Sequence, residues 1–267
     1  MTNAISSEQG SGTVLIELAE AATSSSSNPN RCEVSQVNWR ICAGDFWVVA
    51  ALPGSGKSGL FSTAAGMVRP LEGRSHYFGR NLEQLDEDEF VQVRRNIGFV
   101  FEDGGRLFNH LTLVENIALP LCYHRDCSAD EAAEAVQPLL EVTELSGMAQ
   151  RMPGRINRSW RQRVALARAL ALQPSVLLLD NPLAGLDPRQ AVWWLEFLAA
   201  LARGHEWMQA RPLTLGVSCE DLRPWLEHGT QFAVIKEARW LALGGKADVA
   251  RSGEPLVREL LMRTSSG

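Results

Sequence analysis

Residues 46–58 read FWVVAALPGSGKS, and this stretch decides the fold. The apolar run from Phe46 to Leu52 suits a strand buried on both faces. It passes directly into Gly54, Ser55, Gly56, Lys57 and Ser58, after which a helix is expected from Ser58 to about Val68, stopped near Pro70. Glycines let the backbone curl until several N–H groups point inward, forming an anion nest at the positive end of that helix. Lys57 is placed to reach the outer phosphates of a nucleotide and Ser58 to offer its hydroxyl to Mg²⁺. The full phosphate-loop pattern has a further glycine where this chain has Ala51, whose methyl group is small enough to leave the loop open. A glycine-rich turn carrying a solvated lysine is the plainer alternative, but it leaves the order of strand, nest, lysine, hydroxyl and helix unexplained.

Outward from this point, residues 13–18 (TVLIEL) and 34–41 suggest strands, separated by a polar loop containing SSSSNPNR at 24–31. Residues 92–101 lead into a second buried strand, and 175–180 (SVLLLD) form a third that ends on Asp180. Helices are expected from about Trp160 to Ala171, from Pro188 to Leu201 and from Glu254 to Met262, with further strands at 213–218 and 232–235. Residues from Leu107 to about Gly154 turn helical. Strands alternating with helices imply an α/β fold with a mostly parallel sheet covered on both faces, and a smaller helical insertion at about 105–160.

At 267 residues the chain is long enough for one large domain, or for a core with a smaller insertion, at about 150 residues per domain. Its 26 Lys+Arg against 31 Asp+Glu give a net charge of −5, which provides no overall positive field for nucleic acid. The start lacks a basic segment followed by an apolar one, and no run approaches the roughly 18 apolar residues of a membrane span. The expectation is therefore an intracellular, non-spanning chain that can dock on a membrane partner. Cys32, Cys42, Cys122, Cys127 and Cys219 lack the paired spacing of a zinc site and are odd in number for a disulfide framework, so reduced thiols are expected.

Asp180, at the end of a buried strand, suits a carboxylate holding Mg²⁺ opposite the phosphate loop, or more simply a cap on the following turn. The order of GSGKS, IGFVF, LFNHLTLVENIALPL, RQRVALARALALQPSVLLLD and NPLAGLDP resembles the ATP-binding subunit of ATP-binding cassette (ABC) transporters, from about residue 13 to 263. FEDGGRLFNHLTLVENIALPL at 101–121 and SGEPLVRELL at 252–261 look most like subunits of Mla-type lipid transport, which work with MCE-domain proteins. The resemblance implies a RecA-like P-loop core with an inserted helical subdomain. It also implies ATP and Mg²⁺ as ligands, and head-to-tail pairing with an identical or second ABC ATPase subunit. A transmembrane permease would hold the chain peripherally on the inner, cytoplasmic face of the membrane. The implied boundaries are a flexible tail at 1–12, core at 13–104, helical subdomain at 105–160, core at 161–250, and a final helix and tail at 251–267.

Carried over position by position, the resemblance exposes departures. Glu102 stands where the family has a glutamine that touches Mg²⁺ and the attacking water; a solvated loop glutamate is the other reading. Ile156, Asn157, Arg158, Ser159 and Trp160 replace the glycine-rich signature, whose backbone N–H groups approach the γ-phosphate of the opposite protomer. Arg158 either swings a cation toward that phosphate or obstructs it, and Ser159 lies beside it. Asn181 replaces the glutamate that polarises water, and an amide has no basic carboxylate to take up a proton. Cys219 replaces a histidine that contacts the γ-phosphate, leaving either a redox or catalytic thiol or a lost function. Asp187 keeps the aspartate of the loop that joins protomers.

The aromatic that stacks on adenine is missing between residues 13 and 38, and Trp39 substitutes only if its loop folds back. Trp193 and Trp194 suit helix or core contacts. Arg161, Arg163 and Arg168 are expected mainly on a solvated face, with Arg161 nearest the signature. These features leave two functions open: an ATP-binding transport subunit with weak or absent hydrolysis, and a non-catalytic scaffold that braces a permease.

Overall fold

The computed structural model describes residues 12–25, 27–125 and 127–262. Most of the expected N-terminal tail, Ser26 of the serine run and the last residues of the C-terminal tail lie outside them. In chain order the elements are β1 (Val14–Thr23), β2 (Val34–Cys42), β3 (Phe46–Ala50), α1 (Lys57–Ala64), β4 (Glu72–Tyr77), β5 (Arg80–Asn81), α2 (Glu87–Arg95) and β6 (Ile97–Val100). They continue as α3 (Leu113–Arg125), α4 (Ala129–Ala135), α5 (Gln137–Val142), α6 (Arg158–Leu170), β7 (Val176–Leu179) and α7 (Pro188–Arg203). The chain closes with β8 (Thr214–Cys219), β9 (Gln231–Lys236), β10 (Arg239–Gly244), α8 (Lys246–Arg251) and α9 (Pro255–Met262).

The strands form one sheet in the order β5-β4-β1-β2-β10-β9-β3-β8-β7-β6. From β9 to β6 every neighbouring pair is parallel, as the alternation of strands and helices implies. The other half differs from the expected mostly parallel sheet: β1 pairs antiparallel with β2 and β4, as does β9 with β10. β4 and β10 lack apolar alternation and leave much of their length exposed. Their extended form comes from pairing with neighbours rather than from their own residues.

β3 explains why its whole run is apolar. Phe46, Val48 and Ala50 join the core on one face of the sheet, while Trp47 and Val49 join the core on the other. α1 ends at Ala64, short of the expected Val68, because Gly66 takes a left-handed φ of 67°. The Gly66 N–H then bonds Thr63 O at 2.8 Å and the Met67 N–H bonds Ser62 O at 2.9 Å, so the last carbonyls are satisfied by a Schellman turn.

In the helical region, Thr112 and Glu115 exchange capping hydrogen bonds at the start of α3, and Ser128 with Glu131 do the same for α4. α6 begins earlier than expected because the Asn157 side chain accepts the Trp160 N–H at 3.1 Å. α3, α5 and α6 bury Ile117, Leu140 and Leu166 in the same core as β7 and β8, so this region is packed onto the sheet. Among the described residues, no helix is long and apolar enough to cross a membrane.

Candidate nucleotide site

β3, β8 and β7 are consecutive in the sheet, so the segments after them meet at one edge. The segment after β3 is the glycine loop. Gly54 and Gly56 have φ of 73° and 89°, a left-handed backbone that side chains resist. A Cβ on Gly56 would also come within 2.8 Å of Val34 Cγ2, so β2 closes tightly over the loop. The Ser55 hydroxyl is buried without a hydrogen-bond partner among the described residues. An orphaned hydroxyl within a curled run of glycines fits a ligand rich in acceptor oxygens.

Lys57 opens α1 and is only 7 % exposed. Its Nζ donates to Ala51 O and Leu52 O, each at 3.0 Å, and to Glu220 Oε1 at 3.1 Å. Ala51, in the place of the pattern's glycine, thus supports the lysine through its carbonyl without its methyl group intruding.

After β7, Asp180 is buried, and its Oδ1 accepts the Ser218 hydroxyl at 2.6 Å. The same Ser218 oxygen accepts the Asn181 N–H at 2.9 Å. One hydroxyl on β8 therefore fixes both residues at the end of β7. Asn181 is buried with φ of 45°, a region that asparagine tolerates better than most side chains. Ser58, Asp180, Glu102 and Arg158 line one cleft of about 560 Å³, together with Ser25 and Phe101. Ser58, Asp180 and Glu102 form a hard oxygen set of the kind that holds Mg²⁺ beside phosphates, so the residues present fit both ATP and the metal.

Glu102 lies across the cleft with its side chain about half exposed. Partial burial holds its proton affinity above the ordinary carboxylate range; Asp180 and Glu220 add to the effect, while Arg158 and Lys57 oppose it. Its backbone oxygen accepts Gln162 Nε2 at 2.5 Å and Arg158 Nη2 at 3.5 Å. Arg158 Nη2 also lies 3.8 Å from Glu102 Oε1, so within this chain the guanidinium folds onto its own cleft. The Ser159 hydroxyl bonds Asn157 Oδ1 at 2.9 Å and is tied to the cap of α6. Asp187 caps α7, accepting the N–H groups of Arg189 and Gln190 at 2.9 and 3.0 Å.

Two expectations need correction, at Cys219 and Arg163, and the condition on Trp39 is not met. Cys219 is not a reactive thiol: it is 2 % exposed within the core, and burial raises its proton affinity far above the ordinary thiol range. Trp39 does not turn toward a nucleotide, being buried with its ring centroid 5.5 Å from Phe61 and 5.1 Å from Trp240. Arg163 is buried rather than solvated; its guanidinium lies 3.6 Å from the Trp193 ring centroid and bonds Glu144 and Gln190. Trp194 is a core residue, as the sequence suggests. Arg161 donates to Pro153 O.

Sequence reasoning missed Ser218, Glu220 and Gln162. Glu220 directly follows Cys219 at the end of β8, and that position was the available signal.

The profile of the ABC transporter family matches residues 34–184, from β2 through the segment after Asp180. Similar proteins include a sulfate/thiosulfate import ATP-binding protein CysA of Nephroselmis olivacea, 33 % identical over 81 % of this chain and 59 % of its own length. A glutamate transport ATP-binding protein GluA of Corynebacterium efficiens is 34 % identical over 64 % of this chain and 69 % of its own. The chain spans 41–60 % of the length of several CysA relatives that it matches.

Among solved structures, the dimeric post-hydrolysis state of the ATP-binding cassette MJ0796 bound to ADP and Pi superposes with a TM-score of 0.73. That match has 27 % identity and covers 86 % of this chain and all of that one. The cbiO1 structure from Clostridium perfringens shares the fold, with a TM-score of 0.71 at 23 % identity, covering 93 % of this chain and 94 % of that one. The chain belongs to the ABC transporter family, with the fold of its ATP-binding cassettes.

Proposed function

We propose that this chain is the ATP-binding subunit of an ABC import complex and that it hydrolyses ATP slowly. One observation carries the reading: a buried Lys57 in a glycine nest shares a sheet edge with Asp180, which Ser218 holds in place. Lys57 and the loop N–H groups would bind the phosphates, and Ser58, Asp180 and Glu102 would hold Mg²⁺. The metal would spread the charge that develops on the transferred phosphoryl group. Arg158, folded toward Glu102, adds a further cation to the cleft.

Slow turnover follows from Asn181, whose side chain lacks a general base, a loss that costs on the order of 10²- to 10⁴-fold. Cys219 supplies only a buried neutral thiol where the family resemblance leads to expect a histidine. A second ABC ATPase subunit, identical or not, and a transmembrane permease complete the proposed assembly at the cytoplasmic face of the membrane.

For the cargo, the names of the CysA and GluA relatives favour a small anionic solute. Lipid trafficking with an MCE-domain partner rests on residues 101–121 and 252–261 alone, and lipid co-purifying with the complex would support it. The second functional reading is a scaffold in which ATP is only a structural ligand; Asn181 and the cis-folded Arg158 favour it.

Equilibrium titration of MgATP onto the chain and its K57A variant tests the binding claim. Binding that weakens at least about tenfold in K57A is expected, a difference of roughly 1.4 kcal/mol. Equal binding by both proteins would overturn it.

A further inference from the structure

We infer that Glu220 is an internal stand-in for phosphate, which holds Lys57 when no nucleotide is bound and must be displaced for ATP to bind. The inference rests on the ATP-binding reading above and adds a gating residue to the same site.

A lysine ammonium has three N–H donors. In Lys57 all three are engaged: with Ala51 O, with Leu52 O and with Glu220 Oε1. The two carbonyls belong to the phosphate loop itself and remain beside the lysine in any state that keeps the loop folded. Glu220 arrives from a different strand, and its carboxylate is the anionic member of the set. A phosphate oxygen can therefore take a bond from Lys57 by replacing Glu220 while the loop carbonyls keep theirs. A single donor changes hands.

The burial of the two partners says which one moves. Lys57 is 7 % exposed and fixed at the first position of α1, whereas the Glu220 side chain is 35 % exposed and open to water. The carboxylate can swing outward and be solvated; the ammonium cannot. Charge supports the same direction of change. Glu220 and Asp180 both raise the proton affinity of Glu102, so the edge already carries several carboxylates in one field. A triphosphate brought against Lys57 with Glu220 still in place would meet that field with one of its cations neutralised.

The energetic consequence is a reduced apparent affinity. When the binding-competent state is a fraction of the population, the apparent dissociation constant rises by the inverse of that fraction. Glu220 thus sets a threshold of nucleotide concentration below which the site stays closed on itself.

The test compares MgATP binding by the full chain, E220Q, E220A and E227Q, with folding checked by thermal melting. E227Q removes the same charge from an exposed residue paired with Lys246, away from the cleft. About fivefold tighter binding is expected in E220Q and E220A, with E227Q unchanged. A second readout needs no nucleotide: acylation of the lysines by an N-hydroxysuccinimide ester, followed by peptide mass spectrometry. Labelling of Lys57 should rise in E220Q and E220A and fall back when inorganic pyrophosphate is added.

Binding that is unchanged or weaker in both Glu220 variants would overturn the inference. Should neither the wild-type chain nor the variants bind ATP, the nucleotide reading fails. The labelling then decides the contact itself: a rise at Lys57 sustains Glu220 as its holder, and no change rejects it.

Discussion

Asp180 Oδ1 accepts the Ser218 hydroxyl at 2.6 Å in a buried site, and the same hydroxyl oxygen receives the Asn181 N–H. The residue proposed to hold the metal and the residue proposed to stand in place of a general base therefore depend on one side chain of β8. S218A leaves the Asp180 carboxylate and the Asn181 amide short of a partner. It should cost about 1–3 kcal/mol of stability by thermal or denaturant unfolding. MgATP binding should weaken with it, and a variant as stable as the parent would show that water replaces the hydroxyl.

Asn181 sits at a φ of 45°. On the proposal that Asn181 stands in place of a general base, N181E supplies a carboxylate there and should raise steady-state phosphate release by about 10²-fold or more. A glutamate in this left-handed position should also cost about 1–2 kcal/mol, because asparagine tolerates that backbone better. Release that stays at the parental rate would overturn the proposal that Asn181 limits turnover.

Trp39 packs against Trp47, Phe61 and Trp240. W39A should destabilise the chain by about 3–5 kcal/mol through the cavity it leaves. Per folded molecule, ATP affinity should stay unchanged. A selective loss of adenine nucleotides relative to pyrophosphate would show that the ring does meet the base.

Glu102 binds its proton more tightly than an ordinary carboxylate, chiefly through partial burial. For an acid whose folded-state proton affinity is raised, the native state holds more protons than the unfolded one. Stability then falls as pH rises through the interval between the unfolded and folded values. In E102Q this decline above the ordinary carboxylate range should shrink, as read from unfolding midpoints between about pH 4 and 7. A pH profile identical to the parent would remove Glu102 as its source.

The parallel half of the sheet was legible because β3, β7 and β8 are short apolar runs bounded by turns, and because α6 and α7 carry a clear helical period. β4 and β10 were not, since Glu72–Tyr77 and Arg239–Gly244 alternate poorly and take their strand form from β1 and β9. At the site, Lys57, Ser58 and Asp180 were legible from spacing and the termini of neighbouring elements. Ser218 and Glu220 were not, because their roles arise from a strand that is remote in sequence and inserts between β3 and β7 in the sheet. Arg163 misled for a related reason. Its neighbours at helical spacing on α6 include Trp160, Leu166 and Ala167, and Trp193 and Gln190 from α7 together with Glu144 enclose its guanidinium, contacts that the local sequence does not announce.

As proposed, the chain holds MgATP through Lys57 and turns it over slowly. The most direct measurement follows γ-labelled MgATP bound to the chain within its purified complex, with K57A as control, scoring retained nucleotide and released phosphate over time. Lys57-dependent label that persists mainly as ATP is expected. Prompt release of labelled phosphate, or retention no greater than in K57A, would contradict it.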